Sequence, residues 1–148
     1  MNKISILGIN GSPHKNGRTA KLLQKILTSS KKAGGEIKLL HLADYKIKPC
    51  VGCYSIEPKQ CTYPCRIKDG MQKLYPLLEK ADAIILGSPV YWFNMSGLMK
   101  NFIDRLCCAE NNGLLYQGKI AALAVSKEDG GEMMALMSMA AALNHMGF

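Results

Sequence analysis

The sequence predicts a doubly wound α/β fold in three layers, α/β/α, built as one domain over residues 1–148. Short apolar segments alternate with segments whose apolar residues recur at helical spacing. Such alternation is typical of a parallel sheet with helices on both faces and right-handed crossovers. The length and the 48% hydrophobic content suit a single core. A cysteine-bearing insertion at about residues 45–67 interrupts the alternation.

The elements follow in order along the chain. The four predicted strands are residues 3–9, 36–42, 81–87 and 119–126, and the predicted helices are residues 19–32, 69–80, 95–106 and 133–145. Gly34 and Gly35 end the first helix, and we expect Pro76 to kink or shorten the second. A sheet of this kind normally has a fifth strand. We therefore expect that the natural chain continues or that a partner subunit covers the open edge.

The charge distribution favours an anionic ligand. The net charge is +8, and residues 1–80 hold 15 Lys and Arg against 5 Asp and Glu, whereas residues 81–148 hold 4 against 6. A phosphorylated cofactor fits this field, and the sequence shows no nucleic-acid-binding motif. Its apolar runs are far shorter than the roughly 20 residues of a membrane span, and its N-terminus does not resemble a signal peptide. We expect a cytoplasmic protein that binds neither nucleic acid nor membrane.

Three loops are predicted to form a ligand site, because ligands of such sheets bind at the carboxyl ends of the strands where the strand order reverses. They are residues 10–18, 88–94 and 126–132. The first precedes a helix and carries Lys15 and Arg18 among short polar residues, which suits a phosphate monoester. It lacks the Walker A and Gly-x-Gly-x-x-Gly spacings. The alternative interpretation is an ordinary turn and helix cap.

The second loop carries three consecutive aromatic residues, Tyr91, Trp92 and Phe93. They either pack over the core or contact a flat apolar ligand. The expected strand order 2-1-3-4 makes the first two loops neighbours. One ligand with a phosphate and a flat ring therefore spans both, and flavin mononucleotide (FMN) has this shape.

Four segments occur together in order: Gly-Ser-Pro-x-x-x-Gly-x-Thr at residues 11–19, Pro-Cys-Val-Gly-Cys at 49–53, Ile-Lys-Asp-Gly-Met at 67–71 and Gly-Ser-Pro-Val-Tyr-Trp-Phe-Asn at 87–94. With them the chain resembles the NAD(P)H-dependent FMN reductase and iron-sulfur flavoprotein family over about residues 3–132. The resemblance implies a flavodoxin-like fold, usually in a homodimer or homotetramer. It also implies an oxidoreductase that passes electrons from NAD(P)H through bound FMN to a second acceptor.

The resemblance assigns residues to the cofactor. The FMN phosphate would be held, beside the cation Arg18, by Ser12, His14, Asn16, Gly17 and Thr19. The ring would be lined by Pro89, Val90, Tyr91, Trp92, Phe93 and Asn94, and the site closed by Ser126, Gly130 and Gly131. The flavin carries the chemistry, so no catalytic acid or base side chain is assigned.

Four of the six cysteines cluster in the insertion, at Cys50, Cys53, Cys61 and Cys65. The family's iron-sulfur members carry Cys-x2-Cys-x2-Cys and a fourth cysteine shortly afterwards. Here Ile56 stands at the third position, where Cys61 would substitute. A 4Fe-4S cluster, reduced thiols or a redox pair, and tetrahedral zinc all stay open. The other two cysteines, Cys107 and Cys108, are interpreted as buried small apolar residues.

Two other functions stay open at this point. One is an electron-transfer or redox-sensing iron-sulfur flavoprotein that binds FMN but does not turn over NAD(P)H. The other is an interaction domain in which the cysteines hold zinc and the first loop binds only a stray anion.

Overall fold

The computed structural model describes residues 3–148. Its strands are β1 (Ser5–Asn10), β2 (Glu36–His41), β3 (Ala83–Tyr91), β4 (Asn94–Met95) and β5 (Ile120–Ser126). Its helices are α1 (Arg18–Lys32), α2 (Cys53–Ile56), α3 (Met71–Lys80), α4 (Gly97–Asp104), α5 (Cys107–Asn111) and α6 (Glu132–His145), with 3₁₀ turns at Leu42–Asp44 and Pro58–Gln60.

Four strands form a parallel sheet in the order β2-β1-β3-β5, and β4 pairs antiparallel with the end of β3. This confirms the predicted strand order and the α/β architecture. Asn10 at the end of β1 lies opposite Gly87 of β3. The strand order reverses between β1 and β3, so the loops that follow these two strands leave the same edge side by side.

The two faces of the sheet are covered differently. On one face α1 packs Leu23 and Leu27 directly onto the strands. A Cβ at Gly87 would stand 2.5 Å from Leu23, and one at Gly8 would stand 2.7 Å from Leu27, so these glycines allow the helix to approach closely. The opposite face carries the larger core, which includes buried residues of α3, α4 and α6. Helices on both faces complete the three layers.

The expectation that Pro76 would shorten the second helix was wrong. Helix α3 begins at Met71 and continues through Pro76 to Lys80. Pro76 lies on the exposed face, whereas Leu74, Tyr75 and Leu78 are at most 1% exposed. Burial of the face that carries these three residues stabilises the helix, although proline removes one backbone hydrogen bond.

The predicted helix at 95–106 is the shorter helix α4, and a separate helix, α5, follows it outside the predicted range. Helix α4 begins later than predicted because residues 94 and 95 pair with β3. Ser96 caps it, and its Oγ accepts a hydrogen bond from the backbone N–H of Met99 at 3.1 Å. The chain bends at Arg105 and Leu106 before α5 begins.

A buried arginine anchors the insertion to the domain. The Arg105 side chain is 0% exposed and pairs with Asp69 at 2.6 Å. It also donates to the backbone carbonyls of Lys48 at 2.8 Å and Ile67 at 3.3 Å, which lie near the two ends of the insertion. No helix within residues 3–148 is both long and apolar enough to cross a membrane.

Candidate functional site

A pocket of about 550 Å³ opens where the loops after β1, β3 and β5 meet. That volume lies within the range typical of small-molecule sites. Three loops line it, with Ser12, His14, Gly17, Arg18 and Thr19 from the first, Pro89, Val90, Tyr91, Trp92 and Phe93 from the second, and Ser126, Lys127, Glu128, Asp129 and Gly130 from the third. These are the three loops that the strand order predicts to form the ligand site.

The structure brings together twelve of the fifteen residues predicted to bind a cofactor. The other three lie outside the lining. Asn16 is exposed, Asn94 belongs to β4 and Gly131 packs behind the aromatic turn. Sequence reasoning missed Lys127, Glu128 and Asp129, although the loop that carries them was selected.

The first loop is folded by its own polar groups. Asn10 is fully buried, accepts a hydrogen bond from the backbone N–H of Ser12 at 3.0 Å and hydrogen-bonds to His41 at 2.9 Å. Ser12 Oγ accepts from the backbone N–H of His14 at 3.1 Å. The loop therefore holds its shape before any ligand arrives, which lowers the entropic cost of binding.

The N-terminus of α1 faces this pocket without a side-chain cap. Gly17 occupies the cap position, and within residues 3–148 no side chain accepts a hydrogen bond there and no acidic residue lies in the first turn. The backbone N–H groups and the helix dipole favour an anion at such an end. The loop is a turn, but the side-chain cap that would satisfy the helix N-terminus is absent from the described residues.

Charged and hydroxyl groups join the first and third loops. Thr19 Oγ1 and Ser126 Oγ lie 2.7 Å apart, which connects α1 to the end of β5. Arg18 pairs with Glu128 at 3.1 Å, and both side chains are more than two-thirds exposed. Exposed pairs of this kind contribute little stability, about 0–1 kcal/mol. A phosphate group can therefore compete with Glu128 for Arg18.

The predicted loop at 88–94 is a strained hairpin. β3 continues to Tyr91 and turns back through Trp92 and Phe93, so that Tyr91 pairs with Asn94. Trp92 and Phe93 both have positive φ, 48° and 63°, in a turn that usually carries Asn-Gly. Left-handed non-glycine residues cost about 1–3 kcal/mol each and concentrate at functional sites. The hairpin leaves Trp92 95% exposed at the pocket.

Of the four cysteines predicted as metal ligands, Cys50, Cys53 and Cys61 lie in the neighbourhood of Cys107, and Cys65 lies apart from them. Cys65 lies beside Arg105, Tyr75 and Cys108, whereas Cys61 lies near Cys53 and Cys107. In the part of the chain that the structure describes, no group of three or more Cys, His, Asp or Glu side chains is arranged to hold a metal ion. The side chains as they stand therefore do not fit a cluster or zinc.

The interpretation of Cys107 as a buried small apolar residue was wrong. Cys107 is half-buried and lies near Cys61 of the insertion, whereas Cys108 is 2% exposed, as expected. The sequence contained no signal for this proximity, because Cys61 and Cys107 belong to different elements.

Replacing Asn10 with leucine is expected to lower the free energy of unfolding by about 1–3 kcal/mol, the cost of leaving buried polar groups unpaired. The backbone N–H of Ser12 and the ring of His41 both lose their partner. Urea denaturation of the ligand-free protein measures this. The matched control is Asn16→Ala at an exposed position of the same loop, expected within about 0.5 kcal/mol of wild type. Equal midpoints for the two variants would contradict the role of Asn10.

Known proteins are similar to this chain in sequence or in fold. An iron-sulfur flavoprotein of Archaeoglobus fulgidus is 36% identical over 138 residues, which cover 92% of this chain and 66% of that protein. RosB, solved with a bound 8-demethyl-8-formylriboflavin-5'-phosphate intermediate, superposes with a TM-score of 0.79 at 15% identity, over 98% of this chain and 60% of RosB. A flavodoxin from the domain Archaea superposes with a TM-score of 0.64 at 19% identity, over 98% of this chain and 76% of the flavodoxin.

The structural matches show that the fold is flavodoxin-like. This chain spans just under two thirds of the length of the Archaeoglobus relative. The family described as NADPH-dependent FMN reductase matches residues 4–148. The chain therefore belongs to the NADPH-dependent FMN reductase family.

Proposed function

We propose that the pocket binds FMN and that the protein is an oxidoreductase, which passes electrons from NAD(P)H through FMN to a second acceptor. One observation carries the proposal: an uncapped helix N-terminus and a strained aromatic hairpin line the same pocket. A phosphate monoester joined to a flat ring matches both features, since the phosphate suits the helix N-terminus and the ring suits the aromatic hairpin. Membership of the FMN reductase family supports the same cofactor.

The residues of the chain have separate tasks in this proposal. Backbone N–H groups of α1, with the hydroxyls of Ser12 and Thr19, bind the phosphate, and Arg18 supplies positive charge. The hairpin at residues 89–93 orients the ring and excludes water from one side of it. Bound FMN supplies the redox chemistry, accepting two electrons and releasing them to an acceptor. We assign no side chain to proton transfer.

Titration of the protein with FMN tests the proposal. Trp92 is the single tryptophan of the chain and lines the pocket, so its fluorescence reports occupancy directly. We expect saturable quenching by FMN, and NADPH oxidation that requires FMN. Riboflavin, which lacks the phosphate, should bind about 10–100-fold more weakly, because charge-assisted hydrogen bonds are lost. Absence of both quenching and FMN-dependent oxidation would refute the proposal.

A second candidate is an electron-transfer or redox-sensing iron-sulfur flavoprotein without NAD(P)H turnover. The name of the Archaeoglobus relative favours it, whereas the separation of Cys65 from Cys53 and Cys61 does not. The two candidates are distinguished on anaerobically purified protein by its iron and sulfide content and by the rate at which NADPH reduces FMN. The iron-sulfur candidate predicts bound iron and sulfide, with FMN that NADPH reduces only slowly.

We also propose that the protein acts as a homodimer or homotetramer in the cytoplasm, where six free thiols stay reduced. Helix α6 supports a subunit interface, since Met133, Met134 and Met137 are 60–64% exposed on it. Light scattering of the purified chain measures the oligomeric state.

A further inference from the structure

The charged side chains that line the pocket are balanced in sign. Among the described residues of the lining, Arg18 and Lys127 carry positive charge, and Glu128 and Asp129 carry negative charge. Each cation is paired with a carboxylate, Arg18 with Glu128 at 3.1 Å and Lys127 with Glu132 at 2.6 Å. The net charge of +8 of the whole chain is therefore not reflected in the charged residues of the pocket.

Glu128 lies where its carboxylate can compete with a phosphate group. Arg18 is the first residue of α1, so the pair places a carboxylate on a cation at the uncapped N-terminus of that helix. Anions are stabilised at such an end. The side chains of Arg18 and Glu128 are 71% and 82% exposed, so the pair can separate at little cost.

The connection between the first and third loops keeps Glu128 within reach of Arg18, although the two residues are 110 positions apart. The hydroxyl groups of Thr19 and Ser126 lie 2.7 Å apart. Thr19 follows Arg18 directly, and Ser126 lies two residues before Glu128. The carboxylate is therefore brought to the phosphate end of the pocket by the packing of β5 against α1.

We infer that Glu128 competes with the phosphate of FMN for Arg18 and so limits the affinity of the pocket for phosphorylated flavins. The inference rests on the proposed function, because it concerns the phosphate end of the same ligand. Displacing the carboxylate forfeits its pairing with Arg18, and leaving it in place sets two anions side by side. Riboflavin has no phosphate and is not affected.

Glu128 is thus a specificity-determining residue, which reduces the preference of the pocket for FMN over riboflavin. Differences in affinity between close variants lie mainly in the dissociation rate. Glu128 should therefore shorten the time for which FMN stays bound.

Titration of the full chain with FMN and with riboflavin, followed by the fluorescence of Trp92, tests the inference. Glu128→Gln should bind FMN about 3–10-fold more tightly than wild type at low ionic strength, because a like charge beside the phosphate is removed. Its affinity for riboflavin should not change. The gain for FMN should shrink in about 1 M NaCl, where charges are screened over about 3 Å.

Asp44→Asn is the matched control, since it also removes one negative charge. Asp44 pairs with Lys15 of the first loop, and neither is among the described residues that line the pocket. This variant should change FMN affinity by less than about twofold. A double-mutant cycle then tests the role of Arg18. In the Arg18→Gln background, Glu128→Gln should increase FMN affinity less than it does in wild type, because the contested cation is gone.

Four outcomes would overturn the inference. Equal FMN affinities of wild type and Glu128→Gln would show no competition, and weaker binding by the variant would show that Glu128 orients Arg18 for the phosphate. A gain of the same size in Asp44→Asn, or in the Arg18→Gln background, would assign the effect to overall charge. Failure of the proposed function gives a different result, because FMN would then bind neither to wild type nor to Glu128→Gln, and both proposals would fall.

Discussion

Replacing Asp69 with asparagine is expected to lower the free energy of unfolding by about 3–5 kcal/mol, since it leaves a buried arginine without its counter-charge. The side chains of Arg105 and Asp69 are 0% and 2% exposed and are joined by a hydrogen bond of 2.6 Å. Within residues 3–148 Arg105 Nε has no hydrogen-bond partner, and the other contacts of the guanidinium are to the uncharged carbonyls of Lys48 and Ile67, which do not replace a counter-charge. Urea denaturation at neutral pH measures the loss.

The exposed pair Lys100–Asp104 provides the control. Asp104→Asn removes the same negative charge from this exposed pair at the end of α4. It should lower the free energy of unfolding by no more than about 1 kcal/mol. If the two variants unfold at the same urea concentration, the buried pair does not anchor the insertion as described.

The same carboxylate makes stability depend on pH. Burial alone would raise the pKa of Asp69, but hydrogen bonds from Arg105 and from the backbone N–H groups of Lys48 and Met71 bring it below its usual value. A depressed pKa contributes stability above the unfolded-state pKa of about 3.9, and that stability is lost as the pH falls through the folded-state pKa. Wild type should therefore lose stability below about pH 4, by more than Asp69→Asn loses over the same interval. Parallel acid titrations of the two proteins measure this difference.

Replacing Gly131 with alanine is expected to lower FMN affinity at least about tenfold, a loss of about 1.4 kcal/mol or more. Gly131 has a φ of 90°, and a Cβ there would stand 2.6 Å from Cα and 3.1 Å from C of Phe93. These are backbone atoms of the strained hairpin, which cannot rotate away as a side chain would. The substitution therefore displaces the turn that lines the pocket, in addition to straining its own backbone.

Gly130→Ala is the matched control. The nearest atom to a Cβ at Gly130 is Phe93 Cε1 at 4.0 Å, an ordinary contact, and its φ is not positive. Quenching of Trp92 fluorescence by FMN should be close to that of wild type in Gly130→Ala and much weaker in Gly131→Ala. Equal affinities would show that the position of the hairpin does not control binding.

Local pattern was sufficient to predict the order of elements and the edge that carries the pocket. Apolar segments such as residues 81–87 and the helical spacing of residues 19–32 are properties of neighbouring residues, and the crossover rule converts their order into a sheet. The three loops predicted to form the site do line one pocket. Lys127, Glu128 and Asp129, which the family motifs did not identify, also line it. Boundaries were less accurate, because pairing with β4 extends β3 and burial of one face carries α3 through Pro76.

Only the tertiary structure decided which distant side chains meet. The contacts of Asp69 with Arg105, of Asn10 with His41 and of Asn111 with Cys61 join residues 31 to 50 positions apart. Such contacts have no periodicity and depend on how the elements pack. The cysteines show this most clearly, because their spacing favoured Cys65 as a ligand beside Cys61. Packing instead places Cys65 beside Arg105 and Cys107 near Cys61, since the position of helix α5 determines which cysteines are neighbours.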